Sequence, residues 1–155
     1  MTSCAELPIA RGFLSSALLG VASGMRSTTG LAAVIAQSDA EELPAVLRHP
    51  AATPAAGLAV AVELVLDKMP FTGSRLEPAG LAGRLVFAGA AGALAARGKA
   101  RAVVPAALVA IAAAALSAKV AHDLRARLAE HFPDRAVALV EDLAAIGIAT
   151  AGCRL

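Results

Sequence analysis

The chain contains no tryptophan and no tyrosine, and four phenylalanines supply all of its aromatic content, 3% of 155 residues. With dispersed basic residues and no aromatic platform on which bases could stack, a nucleic-acid interface is excluded. An aromatic belt at the two faces of a bilayer is missing as well. Only Phe71 and Phe132 fall near the ends of predicted helices. Charge is scarce, at 17% against roughly 25% in soluble domains, and nearly balanced, with 14 Lys+Arg against 12 Asp+Glu. Two cysteines, Cys4 and Cys153, stand at opposite ends of the sequence. No C-x-x-C or Cys/His spacing accompanies them, so they read as free thiols rather than metal ligands. There is no nucleophile–His–acid set and no phosphate-cradling glycine loop. The sequence therefore names no catalytic residue, no metal and no cofactor, and reads as that of a non-enzyme.

What is abundant is small and apolar. Hydrophobic residues make up 58% and alanine alone fills 42 positions; mean hydropathy is +0.71. A disordered chain needs the opposite composition. A soluble enzyme would need more polar residues to cover its surface. The length fits one domain, residues 1–155, at roughly 150 residues per domain. The class that remains is an all-α integral membrane bundle. No alternating pattern of useful length suggests a β-barrel.

About five helices are expected. Ala102–Ala118 is a charge-free run bracketed by Lys99, Arg101 and Lys119, within the ~17–25 residues of a membrane helix. Leu7–Ala36, Ala51–Leu66, Pro78–Ala96 and Ala136–Cys153 are apolar apart from isolated charges. Thr53-Pro54, Pro78 and Asp134 supply helix-start signals. The charged segment Leu124–Pro133 can extend the fourth helix. Ala22-Ser23-Gly24 resembles a signal-peptide cleavage site, but the preceding run lacks a basic leader. With five crossings, the positive-inside rule places the 68–78 and 119–135 loops, and with them the N-terminus, in the cytoplasm by a margin of one basic residue.

Ionisable residues inside apolar spans carry the most information, because each costs about 2.5–3.5 kcal/mol at a helix centre. Glu63 and Asp67 are four apart and share a helix face, next to Lys68 and Pro70. They read either as a cation or proton site, or as a deep Glu63 paired with an arginine below a surface Asp67-Lys68. In the first helix Gly20 and Gly24 form a G-x-x-x-G packing pair, and Arg26-Ser27-Thr28-Thr29-Gly30 follows. Three hydroxyls and an arginine between glycines suggest a broken helix, the setting in which transporters place binding sites. The alternative is a continuous tilted helix whose Arg26 snorkels or pairs with Glu63. Arg84 is expected to pair with Asp67 or Glu141, or to snorkel. Glu141 and Asp142 are adjacent and expected to point to different faces, one inward and one towards a partner or headgroup. Gly24-Met25-Arg26 followed by Glu63 and Asp67 faintly echoes Asp123-Leu124-Arg125 followed by Glu141 and Asp142. With five crossings that repeat would be inverted.

Glu63-Leu-Val-Leu-Asp67-Lys68-Met69-Pro70, Ser74-Arg75, Gly80-Leu-Ala-Gly83-Arg84, Gly24-Met25-Arg26-Ser27 and Val137-Ala-Leu-Val-Glu141-Asp142 together resemble a bacterial membrane family known only as domain of unknown function 4126. The resemblance runs from about Gly12 to Ala149. It departs at Ala121-His122-Asp123-Leu124-Arg125, where the family is richer in Gly and Tyr. It implies a small multi-pass protein of the inner (cytoplasmic) membrane and brings no activity with it.

Two functions fit these residues. One is a small transporter or channel for a cation or a proton-coupled solute, with Arg26, Ser27, Thr28, Glu63, Asp67, Lys68, Arg84, Glu141 and Asp142 along the pathway and Gly20, Gly24 and Gly30 packing helices. The other is a non-catalytic subunit of a larger membrane complex. Beyond the lipid bilayer, a homo-oligomer or a partner membrane subunit is expected, since few helices enclose a pathway alone.

Overall fold

The computed structural model describes residues 7–39, 41, 43–66, 78–97 and 100–155. Among these the chain is all-helical. It comprises α1 (Leu7–Met25), α2 (Thr29–Gln37), α3 (Ala52–Leu66), α4 (Pro78–Ala95), α5 (Val103–Leu128) and α6 (Asp134–Cys153), with 3-10 turns at Ala45–Leu47 and Ala100–Ala102. α5 runs through the charged segment as far as Leu128, and α6 begins with Asp134 in its first turn behind a Pro133 cap. Asp67, Lys68, Pro70, Phe71, Ser74, Arg75 and Cys4 lie outside the described residues.

α1 is the axis of the bundle and packs on α2, α4, α5 and α6. Small residues make this possible. Ala106, Ala110, Ala114 and Ala118 recur every four positions and form a buried stripe on α5. Gly20 lies on Ala110 and Gly24 on Ala114 and Ser117, so closely that a β-carbon at either glycine would fall into α5 backbone. Close approach of this kind is what small-x-x-x-small spacing permits. Ser117 Oγ crosses the seam and donates to the Val21 carbonyl (3.0 Å). Larger side chains close the other face, where Leu19, Val34 and Ala91 are buried together.

Contact register gives the directions. Gly20 meets Ala110 and Gly24 meets Ala114, so α1 and α5 are parallel. Ser15 meets Gly152 and Arg26 meets Asp142, so α6 is antiparallel to α1. Arg84 reaches Gly24, while Ala91 packs with Leu19, so α4 is antiparallel as well. α2 folds back along α1, because Gly30 lies on Leu19 and Ser23 and Val34 packs on Leu19.

Four expectations change as a result. The opening segment is a helical hairpin, not one crossing. That fold-back restores α5 to the direction of α1, so the faint repeat is not inverted. It also puts the start of α1 beside the end of α6, across the bundle from 119–135, where the five-crossing count grouped them together. Among the described residues, two helices are long and apolar enough to cross a membrane, Val103–Leu128 and Asp134–Cys153, in place of the expected five. Ala52–Val65 and Gly80–Ala95 are shorter apolar stretches. α2, with nine residues, reaches only ~14 Å at 1.5 Å per residue, about half the hydrocarbon thickness.

Candidate functional site: a helix break capped by charges from other helices

The α1–α2 turn occupies Arg26, Ser27 and Thr28. A turn this tight leaves carbonyls at the end of α1 and N–H groups at the start of α2 without helical partners. Neither helix caps itself. α1 has no basic residue in its last turn and α2 no acidic residue in its first, and the Thr28 side chain makes no cap to α2.

Other helices supply both caps. From α4, Arg84 Nη1 donates to the Gly24 carbonyl (2.9 Å) and the Met25 carbonyl (3.0 Å). From α3, the Glu63 carboxylate accepts the Ser27 N–H at Oε1 (2.6 Å) and both the Thr28 N–H (2.9 Å) and the Thr28 hydroxyl (2.6 Å) at Oε2. The signs are right for both helix dipoles, a cation at the C-terminal end of α1 and an anion at the N-terminal end of α2. Arg84 is 4% exposed, so water cannot substitute freely for it. We expect Arg84→Met, which keeps the apolar stem, to destabilise the chain by about 2 kcal/mol through loss of charged hydrogen bonds. Arg84→Lys should recover part of that loss. Thermal unfolding in detergent would compare the three, and a midpoint unchanged in Arg84→Met would show that the cap contributes nothing.

Beside the break, the Arg26 guanidinium pairs with Asp142 on α6. Arg26 is 1% exposed and Asp142 6%. One residue earlier, Glu141 faces Arg125 of α5 (3.5 Å), and Arg125 also makes a two-pronged contact to Asp134 (2.9 and 2.8 Å). Glu141 and Asp142 are thus both buried, contrary to the expectation that one faces outward. They straddle the line where α6 meets the bundle, so one turns to α5 and the other to α1. Arg26 pairs with Asp142 rather than Glu63, and Arg84 holds the Gly24 and Met25 carbonyls; Asp67, one of its expected partners, lies outside the described residues. Arg26, Ser27, Thr28, Glu63, Arg84 and Asp142 converge on the break, with Glu141 adjacent.

Three residues around the break were not among the expected site residues. Arg125 bridges α5 to α6. The Ser23 and Thr29 hydroxyls are buried and make no hydrogen bond among the described residues. Thr29 is the last hydroxyl of the run that marked the break, and Ser23 lies one turn before it. Gly30 lies beneath Ser23, where a β-carbon would strike the Ser23 Oγ and the Leu19 carbonyl. Among the described residues no His/Cys/Asp/Glu group is arranged to hold a metal ion.

A groove of about 450 Å³ opens where α5 and α6 splay apart over Val21 and Met25. Its walls, including Val120, Leu124, Val137 and Val140, are almost wholly apolar, and Arg125 and Glu141 lie at its edge. Comparison with protein-family models, curated proteins and solved structures finds no match for this chain.

Proposed function

We propose that this protein is a multi-pass protein of the cytoplasmic membrane that moves a small solute through the polar seam around the α1–α2 break. The carrying observation is the break itself. Unwound backbone, two hydroxyls and four ionisable side chains gather at one point of an otherwise apolar bundle, the kind of place where transporters bind solutes. The membrane setting is supported by the outer faces of the long helices, where Leu116 and Leu143 are each 70% exposed among further exposed Leu and Val. Apolar faces of that extent belong in lipid or against another protein. The resemblance to the domain of unknown function 4126 agrees with this placement.

Of a cation and a proton-coupled solute, the contacts favour the second. Both Glu63 oxygens are turned to N–H and O–H donors, an arrangement ill-suited to coordinating a cation. Reconstituted vesicles test the reading: wild type is expected to carry a proton flux that Glu63→Gln abolishes while the variant remains folded by circular dichroism and gel filtration. Undiminished flux in folded Glu63→Gln would remove Glu63 from the pathway.

A second reading, an accessory subunit of a membrane complex, draws on the apolar α5–α6 groove, which could receive a partner helix. Stoichiometric co-purification of another membrane protein in mild detergent would favour it.

A further inference from the structure

We infer that α3 is a proton-operated gate: its Glu63 carboxylate latches it to the α1–α2 break, and protonation of that carboxylate lets the C-terminal end of α3 swing away into the lipid. Its service as a gate rests on the transport reading, which it deepens by naming the moving part; the latch itself stands without it.

α3 is held differently from the other five helices. Each of those buries side chains in the core: Leu19 on α1, Val34 on α2, Ala88 on α4, Ala110 on α5 and Ala145 on α6. Among the described residues of α3 none is buried. Its inner edge is a half-buried stripe of Ala52, Ala56, Val60, Glu63 and Leu64, while Leu58, Val62 and Val65 are exposed. The helix packs mainly on α2. In a bilayer such apolar contacts bring no hydrophobic gain, because lipid tails are as apolar as the side chains they replace. What remains is Glu63, the only ionisable residue of α3. It accepts from the Ser27 N–H (2.6 Å), the Thr28 N–H (2.9 Å) and the Thr28 hydroxyl (2.6 Å). The two ends of α3 are also unequal. Ahead of its start, Leu43 is buried and Arg48 Nε donates to the Leu43 carbonyl (2.7 Å), which anchors the incoming chain. Glu63 sits in the last turn, so the latch is at the other end.

A proton changes both sides of this balance. Ionised, the carboxylate accepts all three bonds in charge-assisted form and is barred from hydrocarbon, so α3 stays docked. Protonated, one of its oxygens becomes an O–H and sets a donor against a donor. The charge-assisted strength is lost, and the neutral side chain can enter an apolar phase. The ionisable groups around the latch are few. α2 supplies none. Arg26 of the turn pairs with Asp142 on α6, whose neighbour Glu141 faces Arg125 of α5. Arg84 of α4 holds the Gly24 and Met25 carbonyls. Asp67 and Lys68, which follow α3, lie outside the described residues. The contacts of Arg26, Arg84 and Arg125 just named join the other helices to one another and not to α3. The core they hold therefore keeps its shape when α3 departs, and the Ser27 and Thr28 N–H groups are uncovered.

Spin labels measure the movement. Full-length protein carrying Cys4→Ser and Cys153→Ser is labelled through Val65→Cys near the latched end of α3 and Leu116→Cys on α5, both exposed positions. Distances in lipid nanodiscs are followed by double electron–electron resonance from neutral pH to about pH 4, across the carboxylate range. Leu116→Cys with Val86→Cys on α4, also exposed, is the reference within the core. We expect a narrow Val65–Leu116 distance at neutral pH, a population several ångströms longer on acidification, and an unchanged reference. Glu63→Gln should show the longer population at neutral pH and ignore acid. If that variant does not fold, Thr28→Val, which removes one of the three donors, takes its place and should release α3 at less acidic pH than wild type. A Val65–Leu116 distance unmoved by acid would overturn the latch. So would an acid response that Glu63→Gln keeps or Thr28→Val leaves unshifted. Vesicle flux separates the two proposals. Acid release without any flux would keep the latch and sink the transport reading; proton flux with α3 fixed would keep transport and sink the latch.

Discussion

Asp142→Ala is expected to lower the stability of the folded chain by about 3–5 kcal/mol, the range found when one partner of a buried ion pair is removed. Arg26 is 1% exposed and sits at the pivot of the hairpin, so its charge cannot turn to solvent without opening the α1–α6 contact. At roughly 2–4 °C per kcal/mol for a chain of this size, the unfolding midpoint should fall by about 6–20 °C. The double variant Arg26→Met/Asp142→Leu discriminates between a lost attraction and a stranded charge. Apolar replacement of a buried pair is often neutral or stabilising, so the double variant should regain most of the loss. A single variant as stable as wild type would mean that the pair contributes nothing to the fold.

The second large effect is steric. Gly24→Leu is expected to cost about 3 kcal/mol or more, at or beyond the upper end of overpacking penalties. Its β-carbon would meet the Ala114 backbone and the Ser117 hydroxyl, and helix backbone, unlike the tip of a side chain, cannot move aside locally. α1 would have to lift from α5 and take the break with it, so the midpoint should drop and Arg84 should lose its register with the Gly24 and Met25 carbonyls. Gly57→Leu is the internal control: nothing lies within 4 Å of a β-carbon there, and little change is expected. Equal stability of Gly24→Leu and Gly57→Leu would show that the α1–α5 approach is looser than described.

Some of this site could be read from residue types and some could not. The break was legible because Arg26, Ser27, Thr28, Thr29 and Gly30 form a run that an apolar helix does not need. Its fold-back was not, since the direction of α2 depends on Gly30 fitting over Leu19 and Ser23, a contact between distant turns. Glu63 and Arg84 stood out as charges in apolar helices, yet the contacts by which they cap the break run mostly to main-chain N–H and C=O groups. Every residue carries those groups, so no letter in the sequence marks them. Glu141 and Asp142 misled for a related reason: adjacency on a helix separates two side chains by about 100°, and both directions turn out to lie inside the bundle. The count of long apolar helices came out too high for two reasons: the opening segment folds back and leaves α2 too short, and the apolar stretches Ala52–Val65 and Gly80–Ala95 fall short of the length a crossing takes.

The hydrogen bond from Ser15 to the Gly152 carbonyl (2.6 Å) ties the first half of α1 to the last turn of α6, so the N-terminal end of α1 and the C-terminal end of α6 lie on one side of the bundle. Joining those ends by a short linker and cutting the α4–α5 connector, which follows Ala95, would yield a circular permutant that keeps every helix contact described above. Proximity of ends is what lets permuted chains fold. The order in which these helices are threaded is therefore separable from the arrangement they reach, and the break with its caps belongs to the arrangement.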